Sequence, residues 1–308
     1  GRKSAIQANV NAGIQRIKLF QTSNGGFSYW PGGTYDNEWG SNYAGHFLVE
    51  AEKKGYAVPS NLKSKWMKFQ KKQAKSWSKS NATTDRARYD DLTQAYRLFT
   101  LALAGKPEIG LMNRLRERTD LSLPARWRLA AAYRLAGQKE IAQKLISGRS
   151  TFVPEYVELS YTYGSNTRDE AMILETLVLM GKKTEGAELA KKIANRLNQN
   201  SWMSTQTTAY SLLAVSKFVG SNNAEKRLKF SYTVNGTSGS RNSEMTMVSF
   251  DLKGKSKNVA VKNTGKGILY VRLITKGVPL GGEEEAEAKN IQLSVRYLDM
   301  KNNPISVD

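Results

Sequence analysis

Cysteine is absent from the 308 residues. That excludes disulfides, thiolate metal sites and a thiol nucleophile. Histidine occurs once, at His46, so neither a histidine-based catalytic triad nor a multi-histidine metal site can be assembled within one chain. No apolar run approaches the roughly 18 residues that span a bilayer. No segment reads as a signal peptide, and Gly1 reads as a cloning remnant, so further sequence is expected upstream. Acidic groups are scarce: 27 Asp and Glu against 47 Lys and Arg give a net charge of +20. Such a balance invites a nucleic-acid or anionic-surface partner. The distribution argues otherwise. Residues 228–308 hold 12 basic and 8 acidic groups, leaving 35 and 19 for residues 1–227, spread along that region rather than clustered. The bland reading is a lysine-rich solubilising surface, and no nucleic-acid partner is expected.

What the chain does have is a core. Forty per cent of its residues are hydrophobic, and 14 Tyr with 6 Trp argue against disorder. The length suits one large domain or two ordinary ones. The texture changes near residue 228. Before it, apolar residues recur at three- and four-residue spacing in helices closed by Gly55, Gly105, Gly137, Gly181 and Gly220. The spacings of 50, 32, 44 and 39 residues suit helical hairpins but are too irregular for a strict repeat array. An α/α toroid, an inner ring of apolar helices inside an outer polar ring, tolerates such loops. After residue 228 the pattern alternates, predicting antiparallel strands in "KFSYTVNG", "SEMTMVSFDLKG", "KNVAVKNTG" and "GILYVRLITKG", with a hairpin around 263–267. "GVPLGGEEEAEAKN" reads as a domain junction, and "IQLSVRYLDMKNNPISVD" as one further strand and a turn.

The stretch "FQTSNGGFSYWPGG", Phe20 to Gly33, carries two glycines that permit a tight reversal and three aromatics that can fold over helix ends. Asp36 or Asn37 is the expected N-cap of the next helix. Turns of this Gln-x-x-x-Gly-Gly-Phe kind also occur in toroids of terpene cyclases and prenyltransferase β-subunits, so the turn alone signals a toroid and no reaction. The succession is more specific. "NGGFSYWPGG", "WGSNYAGHFLVEAEKKGYAVP", "YGSNTRDEAMILETLVLMG" and "SWMSTQTTAYSLLAV", followed by strands, resembles the thioester domain of bacterial alpha-2-macroglobulins over essentially the whole chain. The resemblance implies an α+β multidomain architecture. A thioester-type α/α toroid spans 1–227, a CUB-like antiparallel β-sandwich segment 228–282, and a linker with the first strand of a macroglobulin-like domain 283–308. It also implies a broad-spectrum endopeptidase inhibitor that entraps proteases after cleavage of a bait region. Its partners are proteases and other macroglobulin-like domains of the same chain. No cofactor or metal and no catalysis of its own are implied, and the placement is extracytoplasmic, periplasmic on a lipoprotein anchor. The family's Cys-x-Glu-Gln motif belongs N-terminal to the NGGF turn. With no cysteine here, no thioester residue carries over. Either those helices lie upstream or the longer protein lacks the motif.

Several residues invite sharper readings. His46 is a candidate base or acyl relay, but an isolated histidine on an apolar helix is more simply a packing residue. Asp90 and Asp91 resemble an Mg²⁺ or olefin-protonating pair, as in toroidal cyclases; carboxylates at a helix start more often cap it. A polysaccharide lyase or terpenoid cyclase is therefore the rival reading, and a basic nucleic-acid module a third. "LKSKWMKFQKKQAKSWSK" has seven lysines and no acid, with Trp66, Phe69, Gln73 and Trp77 on one stripe, as expected of an outer helix with its aromatics inward. Trp30, Asp36, Trp39, Arg168, Asp169, Trp202 and Gln206 occupy loop and helix-start positions in successive hairpins. They are the candidates for one rim or interaction surface.

Overall fold

The computed structural model describes residues 2–80, 84, 89–199, 201–222, 227–245, 247–252, 258–266, 269–274 and 296–305. They fall into two compact units, residues 1–268 and 269–308. The described helices are α1 (Arg2–Ile17), α2 (Glu38–Lys53), α3 (Ser60–Ser76), α4 (Asp90–Leu103), α5 (Ile109–Arg116), α6 (Leu123–Leu135), α7 (Lys139–Ile146), α8 (Asn166–Met180), α9 (Lys183–Leu197) and α10 (Thr205–Asn222). None is long and apolar enough to cross a membrane.

Burial sorts these helices into two kinds. α4 is buried from Asp91 to Leu103, and α8 from Asn166 to Leu177, on every side. Such a helix must be surrounded by others. α3, α7 and α9 are amphipathic, each burying one stripe and offering lysines to water. The packing follows: α2 meets α4, α4 meets α6, α6 meets α8 and α8 meets α10, while α3, α5, α7 and α9 lie against them. Side chains of α10 return to α2: Lys217 donates to Glu50, Tyr43 lies beside Tyr210, and Trp39 donates to Gln206.

Helix ends follow simple chemistry. The side chains of Asn37, Ser122 and Ser165 accept backbone N–H groups from the first turns of α2, α6 and α8. Gly55, Gly105, Gly137 and Gly181 adopt positive φ where helices stop, the conformation glycine enters without steric cost. Gly220 differs from expectation. α10 runs past it to Asn222, and the hydroxyl of Ser221 donates to the Phe218 carbonyl in that last turn. At Gly45 the reason for glycine is contact: an added Cβ would lie 1.9 Å from the Trp66 ring, so α2 and α3 meet almost backbone to ring.

Three strands form an antiparallel sheet of order β2-β1-β3: β1 Leu228–Val234, β2 Thr237–Ser243 and β3 Val259–Asn263. Asn235 and Gly236, both at positive φ, make the two-residue turn that suits a tight hairpin. Two predicted strands are corrected. Of the predicted strand 243–254, only Ser243 is in a strand and the described residues after it are not; the polar 237–243 pairs with β1 instead, because the Asn-Gly turn fixes the register immediately after it. Residues 269–274 join no sheet. The 277–290 junction and 291–295 of the last predicted strand lie outside the described residues. In the second unit, Leu298 bridges Pro304 around a turn in which Asp299 accepts from Lys301, Asn303 and the Asn303 side chain.

Candidate functional site

The Phe20–Gly33 stretch closes on itself. Gln21 bridges Phe27 in antiparallel fashion, and the Gln21 amide donates to the Leu62 carbonyl at 2.9 Å. Gly25 sits at φ +92, where an added Cβ would meet the Lys65 carbonyl oxygen at 2.5 Å; one on Gly26 would strike Asp36 and Phe69. Asp36 accepts from Thr22 and Asn24. The turn therefore clamps the end of α1 to α3 and the start of α2, and Asp36 is spent inside it.

Four of the other rim candidates come together at the N-terminal ends of α2, α8 and α10. The Trp39 indole donates to Gln206 at 2.8 Å, and the Arg168 guanidinium lies 4.3 Å from the Trp39 ring. Arg168 donates to Asp169 at 2.7 Å, Tyr156 donates to the other Asp169 oxygen at 2.7 Å, and Arg168 reaches the Thr162 carbonyl at 3.3 Å. A Cβ on Gly164 would come 2.4 Å from Arg168. Burial alone would lower the Arg168 pKa, yet Asp169 and Tyr156 hold it above its usual value. Trp39, Arg168 and Asp169 are buried and do not face solvent. Trp30 and Trp202, each 71% exposed, do face it. Tyr29 stacks on Tyr163 with centroids 5.9 Å apart and lies edge-on to Trp30, and Ser204 donates to the Tyr163 carbonyl. Tyr163 holds φ +50, an uncommon conformation for a bulky residue.

The loop beneath is organised by Glu158. Its carboxylate accepts from the backbone N–H of Ser160, Tyr161 and Thr162 and from the Ser160 and Thr162 hydroxyls. Burial raises its pKa, but these donors prevail and bring it to about 2.

A second polar group fills the space between α2, α4, α6, α8 and α10. His46 Nδ1 lies 2.9 Å from the Tyr96 hydroxyl, which in turn accepts from Tyr210. His46 Nε2 faces Glu50 at 3.6 Å and Glu175 at 3.8 Å. Lys217 bridges the same two carboxylates at 2.5 and 2.6 Å, and Arg128 donates to Glu175 at 2.6 Å with its guanidinium 4.3 Å from the Phe99 ring. Burial works to raise the Glu175 pKa; Arg128 and Lys217 outweigh it and hold it well below the usual carboxylate range. Glu50 settles at about 2, burial again opposed by His46 and Lys217. His46, Glu50 and Glu175 place ligand atoms within 4.8 Å of one another. Lys217 and Arg128 already balance both carboxylates, so the cation there is an ammonium and the triad lacks the unbalanced charge a divalent ion requires.

Asp90 and Asp91 are likewise engaged. Asp91 accepts from the Ser122 N–H and hydroxyl and from Leu92, and Asp90 accepts from the Trp77 indole and Ser80. Both hold the α4 start to neighbouring loops. Arg128, Glu175 and Lys217 were not singled out by the sequence, although a lone carboxylate inside "MILETLVLM" was the available signal.

These features define a helix-pair assembly with a small antiparallel sheet, welded by buried ion pairs. No protein-family model matches the chain. Alpha-2-macroglobulin of Escherichia coli strain K12 is 25% identical over 287 residues, covering 89% of this chain and 17% of that protein. The chain thus spans about a sixth of that relative's length. Escherichia coli alpha-2-macroglobulin activated by porcine elastase superposes with a TM-score of 0.60 at 21% identity, covering 83% of this chain and 22% of that one. Salmonella alpha-2-macroglobulin reacted with methylamine gives a TM-score of 0.61 at 22% identity, covering 83% and 16%. The chain is thus similar in sequence to a bacterial alpha-2-macroglobulin over most of its length and shares the fold of the corresponding part of such proteins.

Proposed function

We propose that this chain is part of a bacterial alpha-2-macroglobulin-like endopeptidase inhibitor: the thioester-type α/α toroid over 1–227, a CUB-like segment over 228–282, and the entry to a further macroglobulin-like domain over 283–308. The observation that carries the reading is the 287-residue match, joined to a fold shared with an elastase-activated relative. The toroid reading is supported by the inner helices α2, α4, α6, α8 and α10, each packed on the next, with α10 hydrogen-bonded back to α2. The CUB-like reading is supported by the antiparallel sheet and by Met245, Met247 and Phe250, whose exposed side chains suit a covering β layer.

In this reading the chain performs no turnover. A bait region elsewhere in the longer protein is cut, its domains rearrange, and the protease is enclosed. The toroid acts as a rigid body. Trp30 and Trp202 present its rim, while Asp36, Trp39, Arg168, Asp169 and Gln206 hold that rim in shape. Placement is extracytoplasmic, in the periplasm or on the cell envelope through a lipid anchor. The lyase or cyclase alternative finds its two carboxylates committed to indole and backbone donors.

The test uses the longer protein and elastase, with two substrates. Entrapment predicts continued cleavage of a small chromogenic peptide and suppressed cleavage of a large protein. Loss of both, or of neither, overturns the proposal. Intact mass after methylamine separates the two forms of trapping: an adduct with one new thiol marks covalent capture, and its absence marks steric enclosure.

A further inference from the structure

Helix α3 carries six lysines and no acid. Its inner side is fixed: Leu62, Trp66, Phe69 and Ala74 are buried, the Trp66 indole donates to the Ser41 carbonyl, and Arg114 donates to the Ala74, Lys75 and Trp77 carbonyls at the C-terminal end. Two of the six lysines are neutralised, Lys63 by Glu52 and Lys71 by Glu108. The remaining four, Lys65, Lys68, Lys72 and Lys75, are exposed and have no acidic partner among the described residues. Their spacing of three, four and three places them in one row along the helix, about 15 Å from first to last at the helical rise. Like charges at these spacings oppose the helix, so the row works against the stability of the element that bears it.

We propose that this row is a docking track for a linear acidic polysaccharide. A single straight line of point charges on a rigid helix matches a chain bearing its own charges in series. A bilayer surface suits the geometry less well, because the apolar face an interfacial helix would insert is here committed to the protein core. A nucleic acid suits the chemistry less well. Non-specific strand binding adds stacking on aromatic or arginine side chains, and the outward side of α3 offers only lysine, serine and asparagine. Lysine ammonium groups, hydrated and mobile on long stems, suit anionic groups of varied position.

The test measures heparin affinity of the 308-residue chain across a salt series. One variant carries Lys65→Gln, Lys68→Gln, Lys72→Gln and Lys75→Gln. The control removes four exposed lysines from α7 and α9, with Lys139→Gln, Lys144→Gln, Lys183→Gln and Lys191→Gln, so both lose the same charge. The track predicts a loss of about thirty-fold or more at low salt in the first variant, with the slope of log affinity against log salt falling by roughly three to four. The control should lose less than about three-fold. Equal losses reduce the effect to net charge and overturn the proposal, as does an unchanged first variant. If the fourfold variant misfolds by circular dichroism, single Lys68→Gln and Lys72→Gln variants carry the test, each expected to lose about three-fold. Phosphatidylglycerol vesicles and duplex DNA are measured alongside. Stronger row-dependent binding to either overturns the assignment to a polysaccharide.

Discussion

A Cβ at Gly45 would lie 1.9 Å from the Trp66 ring, which is itself fully buried and hydrogen-bonded to Ser41. In an isolated helix, Gly→Ala gains about 1 kcal/mol. Here neither ring nor backbone has room to yield, and overpacking typically costs about 1–3 kcal/mol or more. Gly45→Ala should therefore lower the urea midpoint. Glu175 presents the electrostatic counterpart. Glu175→Gln leaves Arg128 and part of Lys217 uncompensated inside the protein, and breaking a buried pair from one side costs about 3–5 kcal/mol. The same groups set the acid limit. Glu50 and Glu158 have folded pKa values near 2, against an ordinary value of 4.5, and Glu175 lies well below that value. Their folded pKa values are depressed, so the unfolded chain takes up protons first. Stability from these groups is complete above about pH 4.5 and drains away as pH falls through 2. Urea midpoints measured from pH 7 to pH 2 should show that loss, and Glu158→Gln should make it shallower.

At the scale of elements, the periodic apolar pattern was enough to place most helices and their glycine stops, because Gly55, Gly105, Gly137 and Gly181 each adopt the positive φ that a side chain resists. It failed at Gly220, where nothing requires that conformation. It also failed at β2, whose polar "TSGSRNS" has no apolar alternation; only the Asn235–Gly236 turn betrays the hairpin. The site was half legible. Helix-start residues Trp39, Arg168, Asp169 and Gln206 could be read as neighbours from their equivalent places in successive hairpins. The Glu50–Lys217–Glu175–Arg128 group joins α2, α6, α8 and α10, and no local pattern encodes which buried charges will meet across such distances in sequence. Two changes probe individual elements. Asn37→Ala removes the side-chain acceptor for the Gly40 N–H and should cost about 1 kcal/mol. Lys68→Glu turns two like-charge neighbours on α3 into attractive pairs. It should raise stability by roughly 0.5–1 kcal/mol at low salt, an effect that thermal melts in 1 M salt should largely abolish.

At the scale of the molecule, the helical assembly is stiff within, with exposed aromatics Trp30 and Trp202 at its loops and a lysine row along α3. The inner helices bury both their apolar surface and their charges, and α10 is tied back to α2 by Lys217 and by the Trp39–Gln206 hydrogen bond. Under the proposed reading, such a body moves without deforming. The most direct measurement is amide hydrogen exchange across this segment in the longer protein, before and after elastase cleavage. The account predicts unchanged, strong protection in α4, α6 and α8, with altered exchange confined to the rim loops 20–36, 156–165 and 201–204. Loss of protection within α4, α6 and α8, or an unaltered rim, would contradict it.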